Sequence, residues 1–312
     1  MNNEVAVLQL VLAKGVGQRT LSRLLARLRL ENYSVSDFVD APISEMTDAF
    51  GLKPESAGSI KAVRDDALVL VEELDHFSVR SLVLGTGEYP SYLSESLGKF
   101  APPVLFAAGD MSVLERKGVG FCGSRKATER SCRVIGACAR GFSRQGYNVV
   151  SGYAFGVDLA AHYGALEGGG VTTFVMATGI LHFRPKKVVA DLLREDNFLV
   201  LSEFSPKLGW SVQNAMQRNR TIIGLAQVMV LAEAGSNGGT FEAGKTTLEL
   251  QRPLFVIDTP DSKQQSEGDR LFLQRGAKLL RVSENETPIL DGVAAQLKSA
   301  RPNQCSKQIS LF

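Results

Sequence analysis

The sequence predicts an α/β fold: an extended Rossmann-like, doubly wound and mostly parallel sheet, preceded by a small all-helical domain. Three observations support this prediction. From residue 80 onward, short apolar segments alternate with stretches of ~10–15 residues that have helical spacing, which is typical of βαβ units. Before that point, leucines recur at helical spacing beside arginines. The chain has 312 residues of which 44% are apolar, enough to bury a sizeable core.

The first 78 residues predict the helical domain. An apolar helix around 7–11 is followed by a tight Gly15-Val16-Gly17 turn, a helix around 21–28 and a helix at 61–75. The turn resembles a helix–hairpin–helix element, whose amides contact a DNA phosphate without reading sequence. A plain turn within a protein–protein domain of the SAM type explains the pattern equally well.

Residues 79–284 predict the sheet domain, and 285–312 are assigned to a C-terminal tail. The expected strands lie at 81–84, 103–106, 119–122, 148–151, 172–177, 198–202, 227–232, 254–257 and 278–282. The expected helices lie at 128–145, 157–166, 186–194, 213–225, 241–250 and 268–274. Ligands of such sheets bind at the carboxyl ends of the strands, where the glycine-containing turns fall.

The composition argues against several classes of protein. No apolar run approaches the ~18 residues that a membrane span requires. Four cysteines without a C-x-x-C pair fit a reduced cytoplasm, which is the expected location. Three dispersed histidines argue against a metal site, and no cofactor is expected. Because the net charge is only +2, any nucleic-acid binding must come from a local basic patch.

Two glycine motifs imitate nucleotide-binding loops. The G-x-G-x-x-G pattern from Gly118 to Gly123 overlaps a predicted strand rather than following it, so a dinucleotide site is not expected there. The pattern from Gly239 to Thr246 matches a P-loop, with Asp258 after a later strand. Six residues separate the preceding strand from Gly239, whereas a P-loop needs that strand to lead into the glycine. An ordinary helix carrying a chance G-K-T is the preferred interpretation.

Three other segments place amides and cations at strand ends or helix starts, where anions bind. Two of them open with Gly123-Ser124-Arg125 and with Ser151-Gly152, and the third is Arg218-Asn219-Arg220. Asp158 either caps a helix or contacts the ligand, and His162 is expected to pack internally. The candidate anion contacts are Gly123, Ser124, Arg125, Ser151, Gly152, Gly156, Arg218, Asn219 and Arg220.

These segments occur in the order that is found in the DprA/Smf proteins, which residues 79–280 resemble. The resemblance implies single-stranded DNA binding at the candidate contacts, help in loading a recombinase, no catalysis, and often a homodimer. Its remaining matches are Tyr89-Pro90, Leu93, Pro102-Pro103-Val104-Leu105-Phe106, Gly109, Ala154, Asp158, His162, Gly170, Thr172, Gly179, Pro185, Ser202-Glu203, Gly224-Leu225, Glu233-Ala234, Ser266, Gly268, Leu271 and Gly276-Ala277.

The sequence departs from the family pattern at several places, one of them Arg184-Pro185, where the family has Tyr-Pro. Ala215-Met216 replaces a Phe-Pro pair that could stack a base, a role that Trp210 or Phe183 could take over. The loop at 238–244 looks like that of LOG-type nucleotide hydrolases, so the alternative is a nucleotide N-glycoside hydrolase with Glu242 as its catalytic residue. A further alternative is a module that senses a small phosphate ligand. The residues after 282 are too few for the winged helix of many relatives.

The chain ends with a short motif of a different kind. It resembles the peptide by which bacterial proteins bind the sliding clamp of the replicative polymerase, whereas a strand that packs on its own domain is the alternative. Such an association would place the protein in DNA recombination, repair or a mobile-element defence module, the last with a toxin partner. The residues of the motif are Gln308, Ile309, Ser310, Leu311 and Phe312.

Overall fold

The computed structural model describes residues 3–258 and 265–300. Its N-terminal part is helical, as the sequence predicts. The helices are α1 (Asn3–Leu12), α2 (Gln18–Leu30), α3 (Val35–Asp40), α4 (Ile43–Asp48), α5 (Pro54–Ala62) and α6 (Arg64–His76). The single helix expected at 61–75 is therefore wrong in its start: the chain breaks at Val63 (φ −92°, ψ 15°), which ends α5 and precedes α6.

The rest of the described chain alternates strands and helices. The strands are β1 (Arg80–Val83), β2 (Val104–Gly109), β3 (Gly118–Gly123), β4 (Asn148–Ser151), β5 (Val171–Val175), β6 (Phe198–Ser202), β7 (Ala226–Ala232), β8 (Leu254–Ile257) and β9 (Lys278–Leu280). The helices are α7 (Ser91–Leu97), α8 (Glu129–Arg144), α9 (Val157–Glu167), α10 (Lys187–Ala190), α11 (Val212–Leu225), α12 (Gly239–Glu249), α13 (Glu267–Gln274) and α14 (Asp291–Ser299). Each predicted strand overlaps an observed one.

The strands form one sheet in the order β1-β2-β6-β5-β4-β3-β7-β8-β9. Pairs β1–β2 and β2–β6 are antiparallel, and all other pairs are parallel. The chain builds outward from β3 through β4, β5 and β6, and then returns to the other side of β3 with β7. This reversal of strand order opens a crevice at the carboxyl ends of the strands, which is the usual ligand position in such sheets.

Helices cover both faces of the sheet. Side chains alternate along a strand, so Phe121 of β3 belongs to an apolar cluster with residues of α8, α9 and α14, whereas Cys122 belongs to one with residues of α7, α11 and α12. A third cluster joins the N-terminal helices to β2, β5 and β6 through Phe106, Phe174 and Val200. The doubly wound α/β fold is thus confirmed, and the helical region shares its core with the sheet.

Two expected segments differ from the structure. The helix predicted at 186–194 is shorter, Lys187–Ala190, because Asn197 stabilises a turn by accepting from Arg194 N (2.8 Å) and donating to Leu192 O (2.9 Å). The range 285–312, assigned to a tail, contains α14, whose Val293 and Leu297 are buried against the sheet. Packed structure therefore continues to residue 299.

Both misleading glycine motifs lie where the sequence places them. Gly118–Gly123 is β3 itself, and a Cβ at Gly120 would come within 2.1 Å of the Met229 sulfur, so this glycine is needed for packing. The chain from the end of β7 to Gly239 is irregular, and Lys245 lies exposed on α12, 4.0 Å from Glu249. The preferred interpretation of a chance G-K-T on a helix is confirmed.

The packing of α8 on α9 gives a stability test. A Cβ at Gly164 would lie 2.1 Å from the carbonyl oxygen of Gly136 on the facing helix, so Gly164→Ala must separate the two helices. We expect it to lower the free energy of unfolding by about 1–3 kcal/mol in urea denaturation. Gly58→Ala is the control: it lies inside α5 with no atom within 4 Å of the new Cβ, and should raise stability by up to about 1 kcal/mol. Equal effects of the two substitutions would contradict this packing.

Candidate functional site

Two adjoining cavities lie at the carboxyl ends of the strands, at the crevice beside β3. Their volumes are about 350 Å³ and about 340 Å³, and we call them together the cleft. Arg125, Ala154, Trp210 and Arg218 line both cavities. The first cavity extends between α11 and the start of α12, and the second extends towards Lys186. The cleft thus forms where the fold class predicts a ligand site.

Arg218 forms the floor of the cleft. Its side chain comes from α11 and is only 4% exposed, and Nη1 donates to the carbonyl oxygen of Val175 at the end of β5 (2.9 Å). A Cβ at Gly152 would come within 1.3 Å of Nη1, so only glycine leaves room for the guanidinium there. The Nε atom is buried without a hydrogen-bond partner among the described residues. Arg218 is therefore a fixed, buried cation rather than a mobile phosphate clamp.

Asp158 balances part of this buried charge. It lies in the first turn of α9, lines the first cavity, and accepts a hydrogen bond from Ala154 N (3.3 Å). Burial raises the pKa of Asp158, and the Arg218 charge opposes that rise. Burial likewise lowers the pKa of Arg218, and Asp158 opposes that fall. Asp158 thus orders the loop before its helix and lines the first cavity. The expected cap is not formed, because the N-cap of α9 is Gly156 without a side-chain cap, and ligand contact by Asp158 stays a prediction.

Arg125 lies on the exposed rim of the cleft, in the loop that follows β3. Its guanidinium carbon is 5.1 Å from the ring centroid of Trp210, which is 52% exposed. The loop is ordered locally, because Lys126 N donates to Ser124 Oγ (3.1 Å) and Thr128 N donates to Glu233 Oε1 (2.9 Å). The structure therefore presents an accessible cation stacked on an accessible aromatic ring between the two cavities.

Lys186 is a second rim cation that the sequence patterns did not indicate. Its Nζ lies 4.1 Å from the Tyr153 ring centroid and 4.4 Å from that of Phe155, which is 67% exposed. Burial lowers the pKa of Lys186, Arg125 lowers it further, and Asp158 opposes both. The available signal was its position directly after Pro185, which fixes the backbone beside the β4 loop.

The structure brings most predicted contacts together and separates others. Ser151 is fully buried, with Oγ donating to Phe121 O (2.7 Å), because this end of β4 is covered; its expected role as an accessible contact is wrong. Arg220 lies two helical positions from Arg218, points elsewhere, and stacks 5.0 Å from the Phe100 ring, so its expected place in the cleft is wrong. The predicted residues that line the cleft are Gly123, Arg125, Gly152, Arg218 and Asn219.

Two predicted glycine and serine positions support the cleft without lining it. Gly156 (φ +76°) starts α9 against the loop, where a Cβ would lie 2.3 Å from Ser124 O. Ser124 N donates to Ala232 O (3.2 Å), which joins the loop to β7. His162 is buried with Nδ1 2.7 Å from Thr172 Oγ1, so its expected internal packing is confirmed.

The aromatic and acidic candidates have clear positions. Trp210 lines the cleft, whereas Phe183 packs among Tyr153, Phe174 and Phe198 away from both cavities. Glu242, the residue of the hydrolase alternative, lies one turn into α12 and does not line either cavity; that helix reaches the first cavity through Gly238, Gly239 and Thr240. The cleft lining therefore includes the Trp210 ring and does not include Glu242.

Glu203 connects the cleft wall to the helical region. Its carboxylate follows β6, is 8% exposed, and accepts from Gln217 Nε2 (3.1 Å), Thr221 Oγ1 (3.2 Å) and Gln18 Nε2 (3.3 Å). Burial raises the pKa of Glu203, and its hydrogen bonds and Arg218 oppose the rise. The N-terminus of α2 is thereby held beside α11.

Residues 3–258 and 265–300 contain no group of three or more side chains arranged to hold a metal ion. In the same residues, no helix combines the length and apolarity that crossing a bilayer requires.

These features define a class: a Rossmann-like protein whose cationic, aromatic-lined cleft lies at the carboxyl edge of a parallel sheet. The family model of DNA recombination-mediator protein A matches residues 80–291, and the chain belongs to this family. DNA processing protein DprA of Streptococcus pneumoniae is 34% identical over 194 residues, 62% of this chain and 67% of that protein. The Bacillus subtilis DprA is 27% identical over 66% of this chain and 70% of its own.

Solved structures agree with the sequence comparison. The S. pneumoniae DprA structure has a TM-score of 0.74 at 26% identity, covering 89% of this chain and 94% of its own. Helicobacter pylori DNA processing protein A, whose structure gives insight into its single-stranded DNA binding mode, has a TM-score of 0.57 at 27% identity. It covers 66% of this chain and 92% of its own. The first similarity includes most of the helical region as well as the sheet.

The raised pKa of Glu203 predicts a pH-dependent stability. The pKa of Glu203 in the folded protein lies above the ordinary 4.5, so the folded state binds the proton more tightly than the unfolded state. The resulting contribution to the free energy of unfolding is full below about pH 4.5 and is lost as the pH rises through the folded-state pKa. Glu203→Gln removes this loss, so the stability of the wild-type protein relative to the variant should fall between pH 4 and pH 8. Urea denaturation across this range measures it. Glu115→Gln, at an exposed carboxylate, is the control and should show no such trend.

Proposed function

We propose that this chain binds single-stranded DNA in the cleft. The observation that carries the proposal is the Arg125 guanidinium stacked on the exposed Trp210 ring, between two cavities that share both residues. A cation beside an accessible ring suits a flexible strand, because phosphates need charge and unpaired bases need a surface to stack on. The H. pylori relative supports the proposal, because single-stranded DNA binding is described for that protein.

The two rim cations and the buried one have different roles in this proposal. Arg125 and Lys186 reach solvent and neutralise phosphates, which supplies affinity without sequence preference. Arg218 is fixed below them and contributes a positive potential that no rearrangement weakens. Trp210, and Phe155 on the far side of Lys186, offer faces for bases. Ala215 and Met216 line the first cavity beside Trp210, which supplies the aromatic ring of that lining, so stacking in the first cavity depends on Trp210.

The finer biological role follows the family. We propose that the protein acts by binding rather than by catalysis, as a homodimer that delivers single-stranded DNA to a recombinase during recombination or repair. A mobile-element defence module is a further setting for the same activity. The non-catalytic role is supported by the position of Glu242 outside the cleft lining.

The proposal predicts two separable effects on oligonucleotide affinity. Trp210→Ala removes a stacking surface worth about 1–3 kcal/mol and should weaken binding about 5- to 150-fold, with little change in salt dependence. Arg125→Ala removes one phosphate contact and should reduce the slope of log K against log[salt] by about 0.7. Fluorescence anisotropy with a labelled oligonucleotide at several salt concentrations measures both quantities.

The matched control is Arg144→Ala. Arg144 is an exposed arginine at the C-terminal end of α8, at the opposite edge of the sheet from the cleft. This substitution removes the same charge and should leave both the affinity and the slope unchanged. Equal affinities of the wild-type, Trp210→Ala and Arg125→Ala proteins would contradict the site.

We also propose that the last five residues recruit the protein to the sliding clamp. Gln308 to Phe312 lie outside the described residues, and the proposal rests on their resemblance to clamp-binding peptides. In such peptides the final apolar pair fills a pocket of the clamp, and burying two such side chains contributes roughly 3–6 kcal/mol before the cost of ordering.

Deletion of residues 308–312 tests this recruitment. Surface plasmon resonance with immobilised sliding clamp should show binding by the full chain and a loss of at least tenfold in the deletion variant. Substitution of Gln304 by Ala, just before the motif, serves as the control and should bind like the full chain. Undiminished clamp binding by the deletion variant would remove the proposal without affecting DNA binding in the cleft.

A further inference from the structure

A second basic surface lies on α2 of the helical region. Arg19 and Arg23 are exposed and four residues apart, which places them on the same side of the helix, one turn from each other. Neither makes an ion pair or a side-chain hydrogen bond within the described residues. Arg27 and Arg29 of the same helix are different, because they bind Glu31 and the carbonyl oxygen of Leu84. The first two arginines are thus available to a ligand.

The start of α2 adds to this surface. Gly17 is its N-cap, makes no side-chain cap, and has open space where a Cβ would lie. The first turn carries no acidic residue, and Lys14 is exposed just before it. Uncapped amides at a helix N-terminus carry partial positive charge and favour an anion. These groups therefore form one electropositive surface at the start of α2. We call it the α2 surface, and it consists of Lys14, Gly17, Arg19 and Arg23.

The start of α2 is linked by hydrogen bonds to α11, the helix that supplies Arg218. Gln18, the first residue of α2, donates to Glu203 O (3.1 Å) and Glu203 Oε2 (3.3 Å), and Gln217 of α11 donates to the same Oε2 (3.1 Å). Gln217 precedes Arg218, the floor of the cleft. One shared carboxylate thus separates the two surfaces.

The carboxylate between them is not a surface group that a strand would contact. Glu203 is 8% exposed, and both of its oxygens accept hydrogen bonds from side chains. A second contact joins the same two parts of the protein: Lys207, in the loop that leads to Trp210, forms a surface ion pair with Glu73 of α6 (2.7 Å). The loop that carries Trp210 therefore also contacts the helical region.

We propose that a DNA strand longer than the cleft continues onto the α2 surface, where Arg19, Arg23 and the amides after Gly17 neutralise further phosphates. This inference rests on the proposed function, because it extends the same ligand. The hydrogen-bonded link from α2 to α11 favours DNA over an acidic protein partner, since it places the α2 surface near the helix that supplies Arg218, and both surfaces are positively charged.

The test compares two oligonucleotides of about 6 and about 25 nucleotides, the shorter chosen to fill the cleft alone. The full chain should bind the longer one more tightly and with a steeper salt dependence. The double variant Arg19→Ala/Arg23→Ala should lose at least fivefold affinity for the longer one and reduce its salt slope by about 1.4, with the shorter one unchanged. The control Arg144→Ala/Arg275→Ala removes two exposed arginines at the opposite edge of the sheet and should change neither.

Gly17→Asp separates binding from folding. Its backbone (φ −78°, ψ 171°) accepts any residue, and aspartate is a preferred N-cap, so this variant should melt at a higher temperature. It should nevertheless bind the longer oligonucleotide more weakly, because a carboxylate occupies the phosphate position. Equal affinity of the full chain for both lengths, or of the α2 variants and the full chain for the longer one, would overturn this inference alone. Failure of the full chain to bind either oligonucleotide would overturn it together with the proposed function.

Discussion

The burial of the Arg218 guanidinium constrains the whole cleft. Removing a cation from water costs several kcal/mol, so its surroundings must be built to accept it. Gly152 leaves the space, Val175 O accepts a hydrogen bond, and Asp158 supplies an opposite charge. These partners come from the ends of β4 and β5 and from α9, while the arginine comes from α11. The position of the guanidinium therefore depends on four separate elements meeting at the crevice, although its Nε atom has no hydrogen-bond partner among the described residues.

A rigid floor has a consequence for the rim. At the rim, Arg125 contacts the Trp210 ring and Lys186 contacts the Tyr153 and Phe155 rings, and these contacts are of the cation–aromatic kind. Such contacts are weak at exposed sites, about 0.5–1 kcal/mol, so bases and phosphates can replace them at small cost. The buried charge keeps the site in place, and the rim can adjust to a flexible strand without reading its sequence.

The sequence indicated the strands and turns well because both depend on local chemistry. Apolar runs and glycines correctly predicted β3, β4 and the turns at Gly123 and Gly152, which line the cleft. The prediction that Arg220 joins Arg218 in the cleft was wrong, because residues two apart on a helix face different directions and cannot both enter one cleft. The sequence patterns did not indicate Lys186, because it lies outside the helices and strands, where no periodicity marks a residue. The burial of Ser151 depends on neighbouring strands, which no local pattern contains.

The helical region is part of the same folded body rather than a tethered module. Its core continues into β2, β5 and β6 through shared apolar packing, and Gln18 reaches the end of β6. A ligand surface on a flexible tether must be ordered when the ligand binds, which costs affinity. The α2 surface is already ordered at a fixed distance from the cleft, because packing and the shared Glu203 carboxylate hold it there. Its arginines can therefore add to DNA affinity without that cost, and this benefit grows with strand length only until the strand spans both surfaces.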